Sequence, residues 1–293
     1  MKIAIGIDIG GTAIKGALVT ENNIIEYSIL ELINKKKPLE TLWKILDKIL
    51  NENREKIEVI GIASAGRIDS NEGIILYASP NIPDWSGLYL SKMVKDRYKI
   101  PCFVINDARA AALAEARKRN VSNLVLLTIG TGLGGGIILN DQLIFGEHWE
   151  AGEIGHTILK PYGRKCNCGK KGCAEAYISM KVLHKYAKEK NRSVLIERFK
   201  KKDQNVVLAV EKMCKDLSVL IDKIFLTIDP QIVVIGGGFC ELGTDALEIL
   251  RKNIKFYSYR SLYNLSQIEL STLGNTAGII GAVIHAREKL VRC

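Results

Sequence analysis

Long apolar runs are missing from this 293-residue sequence. None reaches the roughly 20 residues that a membrane-spanning helix requires, so we expect no membrane partner. A signal-peptide pattern is missing too, because residues 2–7 already have the pattern of a buried strand. The sequence also has little that could serve as a low-complexity segment or a flexible linker. These absences favour a compactly folded protein.

Cysteine is scarce and odd in number, with seven residues in the chain. Three of them crowd into Cys166, Cys168 and Cys173. Such a cluster favours metal binding in a reducing compartment over a framework of disulfides. We therefore expect a cytoplasmic location.

Acidic residues are fewer than basic ones: the chain has 32 Asp and Glu residues and 42 Lys and Arg residues, which gives a formal net charge of +10. A basic chain can be a nucleic-acid binder. Here the lysines are scattered over many predicted helices, and no segment resembles a recognition helix or a basic arm. We interpret the charge as a lysine-rich surface that also suits anionic nucleotides, and expect no nucleic-acid partner.

An internal repeat organises the sequence. Residues 7–19 have the pattern strand, glycine turn, strand, and residues 127–139 repeat it 120 positions later. A polar turn and another apolar strand follow each copy. The repeat predicts a duplicated domain whose two glycine turns face one ligand across a cleft.

Strands and helices alternate through both halves, which predicts two α/β lobes with largely buried sheets. We expect an N-terminal lobe over residues 1–120, rejoined by the C-terminal helix, and a C-terminal lobe over residues 121–293. Strands are predicted over residues 57–64, 102–105 and 232–235. Helices are predicted over residues 38–51, 88–98, 108–119, 174–190, 206–227, 245–256 and 277–290.

The glycine turns predict a site for the phosphates of a nucleotide. Glycines let backbone N–H groups approach a phosphate, and Asp8, at the end of a buried strand, is placed to hold Mg²⁺. The first turn comprises Asp8, Gly10, Gly11 and Thr12, and the second Gly130, Thr131, Gly132 and Gly134. A third run, Gly236, Gly237 and Gly238, follows a strand. It suits either the adenosine or a tight turn into a helix, and the sequence leaves both open.

The pair Asn106-Asp107 stands where a strand meets an alanine-rich helix. Either residue is a favoured helix N-cap. Phosphoryl transfer to an alcohol also needs a carboxylate that accepts the hydroxyl proton. Asp107 could serve as that base, and the pair by itself fits both interpretations equally.

Four residues, His156, Cys166, Cys168 and Cys173, match the ligand set of a closed tetrahedral zinc site. With four protein ligands no position is left for water, so we expect a structural metal. If one imidazole nitrogen binds zinc, the other can donate to a sugar hydroxyl. Glu153 and Glu175 flank this loop and could accept hydrogen bonds from sugar hydroxyls, although lone glutamates are more often surface residues.

Together these motifs resemble the ROK family of bacterial sugar kinases and repressors, from residue 3 to about residue 285. The resemblance implies an actin/hexokinase (ribonuclease H-like) fold, ATP and sugar in the cleft between the lobes, and a homodimer. It implies that Asp107 is the catalytic base. The residues that it assigns to the sugar are Asn81, Asn106, Glu153, His156 and Glu175. Repressors of the family carry an added N-terminal helix-turn-helix, and here the first strand starts at residue 3, so we expect a kinase.

The sugar itself is indicated by a few positions. Gly66-Arg67 and the run that follows Asn106-Asp107 resemble the family's N-acetylmannosamine kinases, and Arg67 could reach an acetamido carbonyl. Ser79 falls at a substrate-contacting position of such kinases. We therefore expect phosphorylation of N-acetylmannosamine to its 6-phosphate, a step of sialic acid catabolism. The alternatives are glucose or another hexose and, less favoured, a sugar sensor that transfers nothing.

Overall fold

The computed structural model describes residues 3–51, 56–78, 82–257 and 267–292. The chain divides into two compact units. Unit 1 comprises Met1–Lys118, Phe145–Glu150 and Asn275–Cys293. Unit 2 comprises Arg119–Ile144 and Ala151–Gly274. The polypeptide therefore passes more than once from one unit to the other.

Unit 1 contains a five-stranded sheet in the order β3-β2-β1-β4-β7. Strands β1, β2 and β3 pair antiparallel, whereas β4 and β7 run parallel to β1. β1 is apolar along nearly its whole length, as expected of a strand buried on both faces. The elements of this unit are β1 (Ile3–Ile9), β2 (Ala13–Val19), β3 (Ile25–Leu32), α1 (Pro38–Leu50), β4 (Ile57–Ser64), β5 (Arg67–Asp69), β6 (Ile74–Tyr77), α2 (Leu90–Tyr98), β7 (Cys102–Asn106), α3 (Asp107–Arg119) and α8 (Ala277–Leu290).

Helix α8 packs closely on this sheet because glycines and alanines line the contact. A Cβ atom on Gly61 of β4 would lie 2.2 Å from the carbonyl oxygen of Ala282. On the other side of α8, a Cβ atom on Gly281 would lie 1.7 Å from the carbonyl oxygen of Ala110 in α3. Neither position can accept a larger side chain without movement of a backbone, so the packing of α8 fixes where β4 and α3 lie.

Unit 2 repeats the sheet pattern in the order β10-β9-β8-β11-β12. Strands β8, β9 and β10 pair antiparallel, and β11 and β12 run parallel to β8. The duplication predicted from the sequence is therefore present in the topology. The elements are β8 (Leu124–Ile129), β9 (Leu133–Leu139), β10 (Gln142–Leu143), α4 (Met180–Ala187), α5 (Arg192–Lys200), α6 (Gln204–Ile228), β11 (Ile232–Gly237), α7 (Thr244–Tyr257) and β12 (Ile268–Leu270). Of the helices in the described ranges, none combines the length and the apolar character needed to cross a membrane.

One predicted helix is wrong in its extent. Residues 174–190 were expected to form a continuous helix, but a short 3₁₀ turn occupies Ala174–Ala176 and α4 starts only at Met180. Ser179 is extended and its hydroxyl accepts a hydrogen bond from the Val182 N–H, so it caps α4 and stops extension toward the cysteines. Helix α5 and the short hairpin of β5 and β6 were not predicted.

Candidate active site

In unit 1, candidate residues meet at the carboxyl ends of three neighbouring parallel strands. Asp8 on β1 pairs in register with Ala63 on β4, and Ser64 at the end of β4 pairs with Asn106 at the end of β7. In open α/β sheets this edge is where ligands commonly bind. The register thus brings together residues that lie almost 100 positions apart in the chain.

The first glycine turn joins β1 to β2. The Gly10 N–H donates to the Ala13 carbonyl at 3.1 Å, which closes the turn, and Thr12 is exposed at its tip. Beside it, burial and then the negative charge of Asp107 raise the pKa of Asp8 to about 6, against the opposing charge of Lys15. The Lys15 Nζ is 3.9 Å from Asp8 Oδ2, a long salt bridge. A partly buried carboxylate with so distant a cation is suited to binding a metal ion.

Asn106 and Asp107 lie where β7 ends and α3 begins, as the sequence predicted. Asn106 Oδ1 accepts the Arg109 N–H at 3.1 Å, so Asn106 acts as the cap. Asp107 Oδ1 accepts the Ala108 N–H at 2.9 Å and the Asn106 amide at 3.1 Å. Burial raises the pKa of Asp107, and these hydrogen bonds act in the opposite direction. The carboxylate is thereby oriented while it stays basic enough to accept a proton.

The Gly66-Arg67 pair is tied directly to this helix start. Asn106 Nδ2 donates to the Gly66 carbonyl at 2.9 Å. Gly66 has a φ of +119° and its position would bring a Cβ atom within 2.3 Å of the Tyr77 carbonyl oxygen, so glycine is required there. Arg67, the first residue of β5, forms an ion pair with Glu150.

Two candidates for sugar binding, Ser79 and Asn81, lie outside the described residues. The chain that follows them is anchored by Trp85, which is 1% exposed. Its indole N–H donates to the Ser64 hydroxyl at 3.0 Å. This contact of Trp85 with the end of β4 could not be predicted from the sequence.

In unit 2, the second glycine turn joins β8 to β9 in the same way as the first turn joins β1 to β2. The Gly130 N–H donates to the Gly132 carbonyl at 2.9 Å, and Thr131 is exposed. Gly237 pairs in register with Ile129 at the end of β8, next to this turn. Gly237 has a φ of +75°, so the chain can turn there from β11 into Gly238. Two of the three predicted glycine runs, with Gly134 on β9 and Gly236 on β11, therefore lie together.

Glu175 connects the second glycine turn with the cysteine loop. Its Oε2 accepts the Leu133 N–H at 3.0 Å, and a Cβ atom on Gly132 would lie 2.3 Å from that oxygen. Its Oε1 lies 3.8 Å from the sulfur of Cys166. Glu153, by contrast, is an exposed residue immediately before the short 3₁₀ turn that contains His156. The two glutamates, for which the same role was predicted, thus have different surroundings.

The four predicted metal ligands converge on one point. The ligand atoms of His156, Cys166, Cys168 and Cys173 all lie within 4.8 Å of one another. The sulfurs of Cys168 and Cys173 are 3.6 Å apart, and the Cys166 sulfur is 3.7 Å from His156 Nδ1. In a tetrahedral zinc site, Zn–S bonds of about 2.3 Å and Zn–N bonds of about 2.0 Å put neighbouring ligand atoms about 3.5 to 3.8 Å apart. The geometry of the cluster therefore fits zinc.

The pKa values of the three thiols in this cluster shift in different directions. Burial raises the pKa of Cys166 to about 12 and also raises the pKa of Cys173, whereas at Cys168 hydrogen bonds with the Lys170 backbone and the other two thiols outweigh burial and lower the pKa. Thiolates, not thiols, are the ligands of zinc, and a bound cation stabilises them. Three thiols and an imidazole gathered at tetrahedral spacing are thus better explained by a metal site than by packing.

Two arginines near these sites make contacts that the sequence did not predict. Arg192 at the start of α5 lies against Gly238, where a Cβ atom would be 2.7 Å from its Nη2, and its Nε donates to Glu241 at 2.9 Å. Arg109 is 1% exposed and donates to the Trp149 carbonyl at 2.7 Å. Each arginine makes contacts with residues that are distant in the sequence. Hydrophobic periodicity does not predict such contacts.

Two α/β units that repeat one sheet order, each with a glycine turn after its first strand, define the class of fold that actin and hexokinase share. The sequence profile of the ROK family matches residues 4–289. The chain therefore belongs to the ROK family.

Relatives match over the full length. An N-acetylmannosamine kinase of Haemophilus influenzae is 32% identical over 295 residues, which cover 98% of this chain and 96% of the relative. A glucokinase of Thermotoga maritima is 29% identical over 310 residues, covering 98% of each chain. The crystal structure of a ROK family glucokinase from Streptomyces griseus, in complex with glucose and AMPPNP, has a TM-score of 0.82 and 29% identity over 98% of this chain and 99% of that one. The predicted fold class and the prediction of a sugar kinase are confirmed.

Proposed function

We propose that this kinase transfers the γ-phosphoryl group of ATP to the 6-hydroxyl of N-acetylmannosamine, giving N-acetylmannosamine 6-phosphate. The observation that carries the proposal is the hydrogen-bonded group at the edge of the unit 1 sheet. There the Asn106 amide holds both the carboxylate of Asp107 and the backbone of Gly66, next to Arg67. One side chain thus holds a proton acceptor and the backbone just before Arg67, a donor suited to an acetamido carbonyl.

Asp107 would act as the general base. Its raised pKa makes it a better proton acceptor than an ordinary carboxylate, and it would take the proton of the 6-hydroxyl as the phosphoryl group is transferred. Asn106 would bind the sugar while it orients that carboxylate. Asn81, Glu153, His156 and Glu175 would hold the other hydroxyls, in accordance with the family resemblance.

The nucleotide would be bound by the glycine turns. The backbone of Gly10, Gly11 and Thr12 and that of the turn over residues 130–134 would contact the phosphates, and the run over residues 236–238 would contact the adenosine. Asp8 fits the role of a Mg²⁺ ligand, since it is a partly buried carboxylate whose only salt bridge in the described chain is long. Bound Mg²⁺ would neutralise charge on the transferred phosphoryl group.

We further propose that zinc at His156 and the three cysteines is structural, because protein groups fill all four positions. His156 Nδ1 faces the Cys166 sulfur, which leaves Nε2 for a sugar hydroxyl. The cytoplasmic location and the homodimer that the family resemblance implies belong to the same proposal.

Glucose is the second candidate substrate. The glucokinase of Thermotoga maritima is nearly as similar to this chain as the N-acetylmannosamine kinase of Haemophilus influenzae. Overall identity therefore favours neither sugar, and the choice of N-acetylmannosamine depends on Gly66-Arg67, the run that follows Asn106-Asp107, and Ser79.

The experiment is a coupled assay of ADP release with MgATP and a panel of N-acetylmannosamine, glucose, N-acetylglucosamine, mannose and fructose. We expect the highest kcat/KM with N-acetylmannosamine. Highest activity with glucose would refute the proposed substrate but not the kinase mechanism. A rate of ADP release that does not depend on added sugar would refute sugar phosphorylation itself.

The base is tested in the same assay. Asp107→Asn should lower kcat by about 10²- to 10⁴-fold, the range of general base catalysis, with ATP affinity nearly unchanged. Asp96→Asn, which makes the same change at an exposed carboxylate on α2, is the matched control and should keep full activity. Turnover of Asp107→Asn within a few-fold of the wild type would remove Asp107 from this role.

A further inference from the structure

The segment Phe145–Glu150 belongs to unit 1, although the residues on both sides of it belong to unit 2. Its backbone is unusual, because Trp149 has a φ of +59°, a left-handed conformation that bulky residues rarely adopt. A conformation of this kind persists only where surrounding contacts hold it. Such contacts lie on both sides of Trp149.

Arg109 holds the segment from the side of α3. This guanidinium is buried, two residues beyond Asp107, and its Nη2 donates to the Trp149 carbonyl at 2.7 Å. It also lies 5.9 Å from the centre of the Phe145 ring, and that ring meets Trp149 edge-on at 5.4 Å. The helix that begins at the candidate base therefore fixes the backbone just before Glu150.

Glu150 in turn holds Arg67. Its carboxylate forms an ion pair with the Nη1 of Arg67. Within residues 3–51, 56–78, 82–257 and 267–292, Glu150 is the only hydrogen-bond partner of that guanidinium, whose Nε is buried without a partner. The Arg67 side chain is 39% exposed, so its outer face can still be reached by a ligand. Arg67 follows Gly66, which Asn106 holds at 2.9 Å.

We propose that Glu150 is a positioning residue that sets sugar specificity through Arg67. This inference rests on the proposed function, because it assigns the exposed face of Arg67 to the acetamido carbonyl of the sugar. An unpaired arginine samples many rotamers, and ordering it on binding costs affinity, so a partner that holds it in advance strengthens binding. The negative charge of Glu150 also offsets the positive charge of Arg67, which favours a neutral amide over a carboxylate-bearing sugar.

The test is a double-mutant cycle on substrate preference. kcat/KM is measured with N-acetylmannosamine and with glucose for the wild type, Glu150→Gln, Arg67→Met and the double variant. Arg67→Met should reduce the preference for N-acetylmannosamine by about tenfold, the effect of losing one hydrogen bond from a charged donor. Glu150→Gln should reduce it by about fivefold, through KM more than kcat, and the double variant should be no worse than Arg67→Met alone.

The matched control is Glu147→Gln, which removes the same charge from an exposed position of the same segment. It should leave the preference unchanged, and Glu150→Asp should restore part of what Glu150→Gln loses. A role that is only structural would lower kcat/KM equally for both sugars, so an unchanged preference in Glu150→Gln overturns the inference. Independent effects that multiply in the double variant overturn it too.

Failure of the proposed function is recognised separately. If the wild type prefers glucose, the proposed substrate is refuted. The same cycle on the KM for glucose then decides whether Glu150 still acts through Arg67. If no sugar is phosphorylated, both the function and the inference are refuted.

Discussion

Acid should destabilise this protein through one buried histidine, His285 on α8. His285 is 4% exposed and its ring packs against Phe145 at a centroid distance of 5.9 Å. Its Nε2 is buried with no hydrogen-bond partner among the described residues. Burial, helped by the positive charges of Lys289 and Arg292, lowers the pKa of His285 to about 3. The folded protein therefore holds this imidazole neutral.

The size of this destabilisation follows from the difference between the pKa values of His285 in the folded and unfolded states. In the unfolded chain a histidine binds a proton near pH 6.5, and in the fold this one binds it only near pH 3. The contribution of His285 to the free energy of unfolding is fully present above pH 6.5. It falls as the pH decreases from 6.5 toward 3, because the unfolded state then binds more protons than the folded state. At about 1.4 kcal/mol per pH unit, the loss between pH 7 and pH 5 comes to about 2 kcal/mol.

The assay compares urea unfolding of the wild type and His285→Leu at both pH values. Asp8 and Asp107 have raised pKa values, so they contribute with the opposite sign, and only the difference between the two proteins isolates His285. From pH 7 to pH 5, the wild type should lose about 2 kcal/mol more than the variant. The control, His148→Leu, removes an exposed histidine and should keep the wild-type slope. Equal losses in the wild type and His285→Leu would refute the reasoning.

Two further predictions concern the metal and the pH dependence of catalysis. Cys168→Ser should lose zinc, measured by elemental analysis, and its KM for the sugar should rise several-fold because His156 loses its fixed orientation; full sugar affinity without metal would contradict this coupling. The rate should fall on acidification with an apparent pKa above the ordinary carboxylate range, since burial raises the pKa of Asp107 and only the carboxylate can accept a proton. A pH–rate profile of kcat/KM that stays flat down to pH 4.5 would exclude a buried carboxylate as the base.

Much of the fold could be predicted because its signals are local. β1 and β4 are nearly continuous apolar runs, and the two glycine turns recur at a fixed offset, so the strands and the duplication follow from the sequence. The convergence of the histidine and the cysteines could be predicted for the same reason, since a single short loop supplies all three cysteines. The start of α4 could not be predicted, because the apolar pattern continues through residues 174–179 and only the cap at Ser179 ends it.

The rest of the candidate site depends on pairs that are distant in sequence. Arg67 and Glu150 are 83 residues apart, and Arg109 and the Trp149 carbonyl are 40 apart. Arginine and glutamate are residue types that are common at protein surfaces, so none of these charged side chains is conspicuous by itself. Periodicity and motif spacing describe one segment at a time, so they cannot report which charges are brought together by the fold.

Glu175 shows what such a contact adds to motifs that the sequence presents as separate. One oxygen of its carboxylate accepts the Leu133 N–H of the glycine turn, and the other lies 3.8 Å from the Cys166 sulfur. A Cβ atom on Gly132 would lie 2.3 Å from that carboxylate, so a side chain there would displace Glu175 from the turn. Within unit 2 the cysteine loop and the glycine turn are therefore one structural element. Since a metal would fix the loop, it would also fix the backbone donors of the turn, so a zinc site without catalytic chemistry can still serve catalysis.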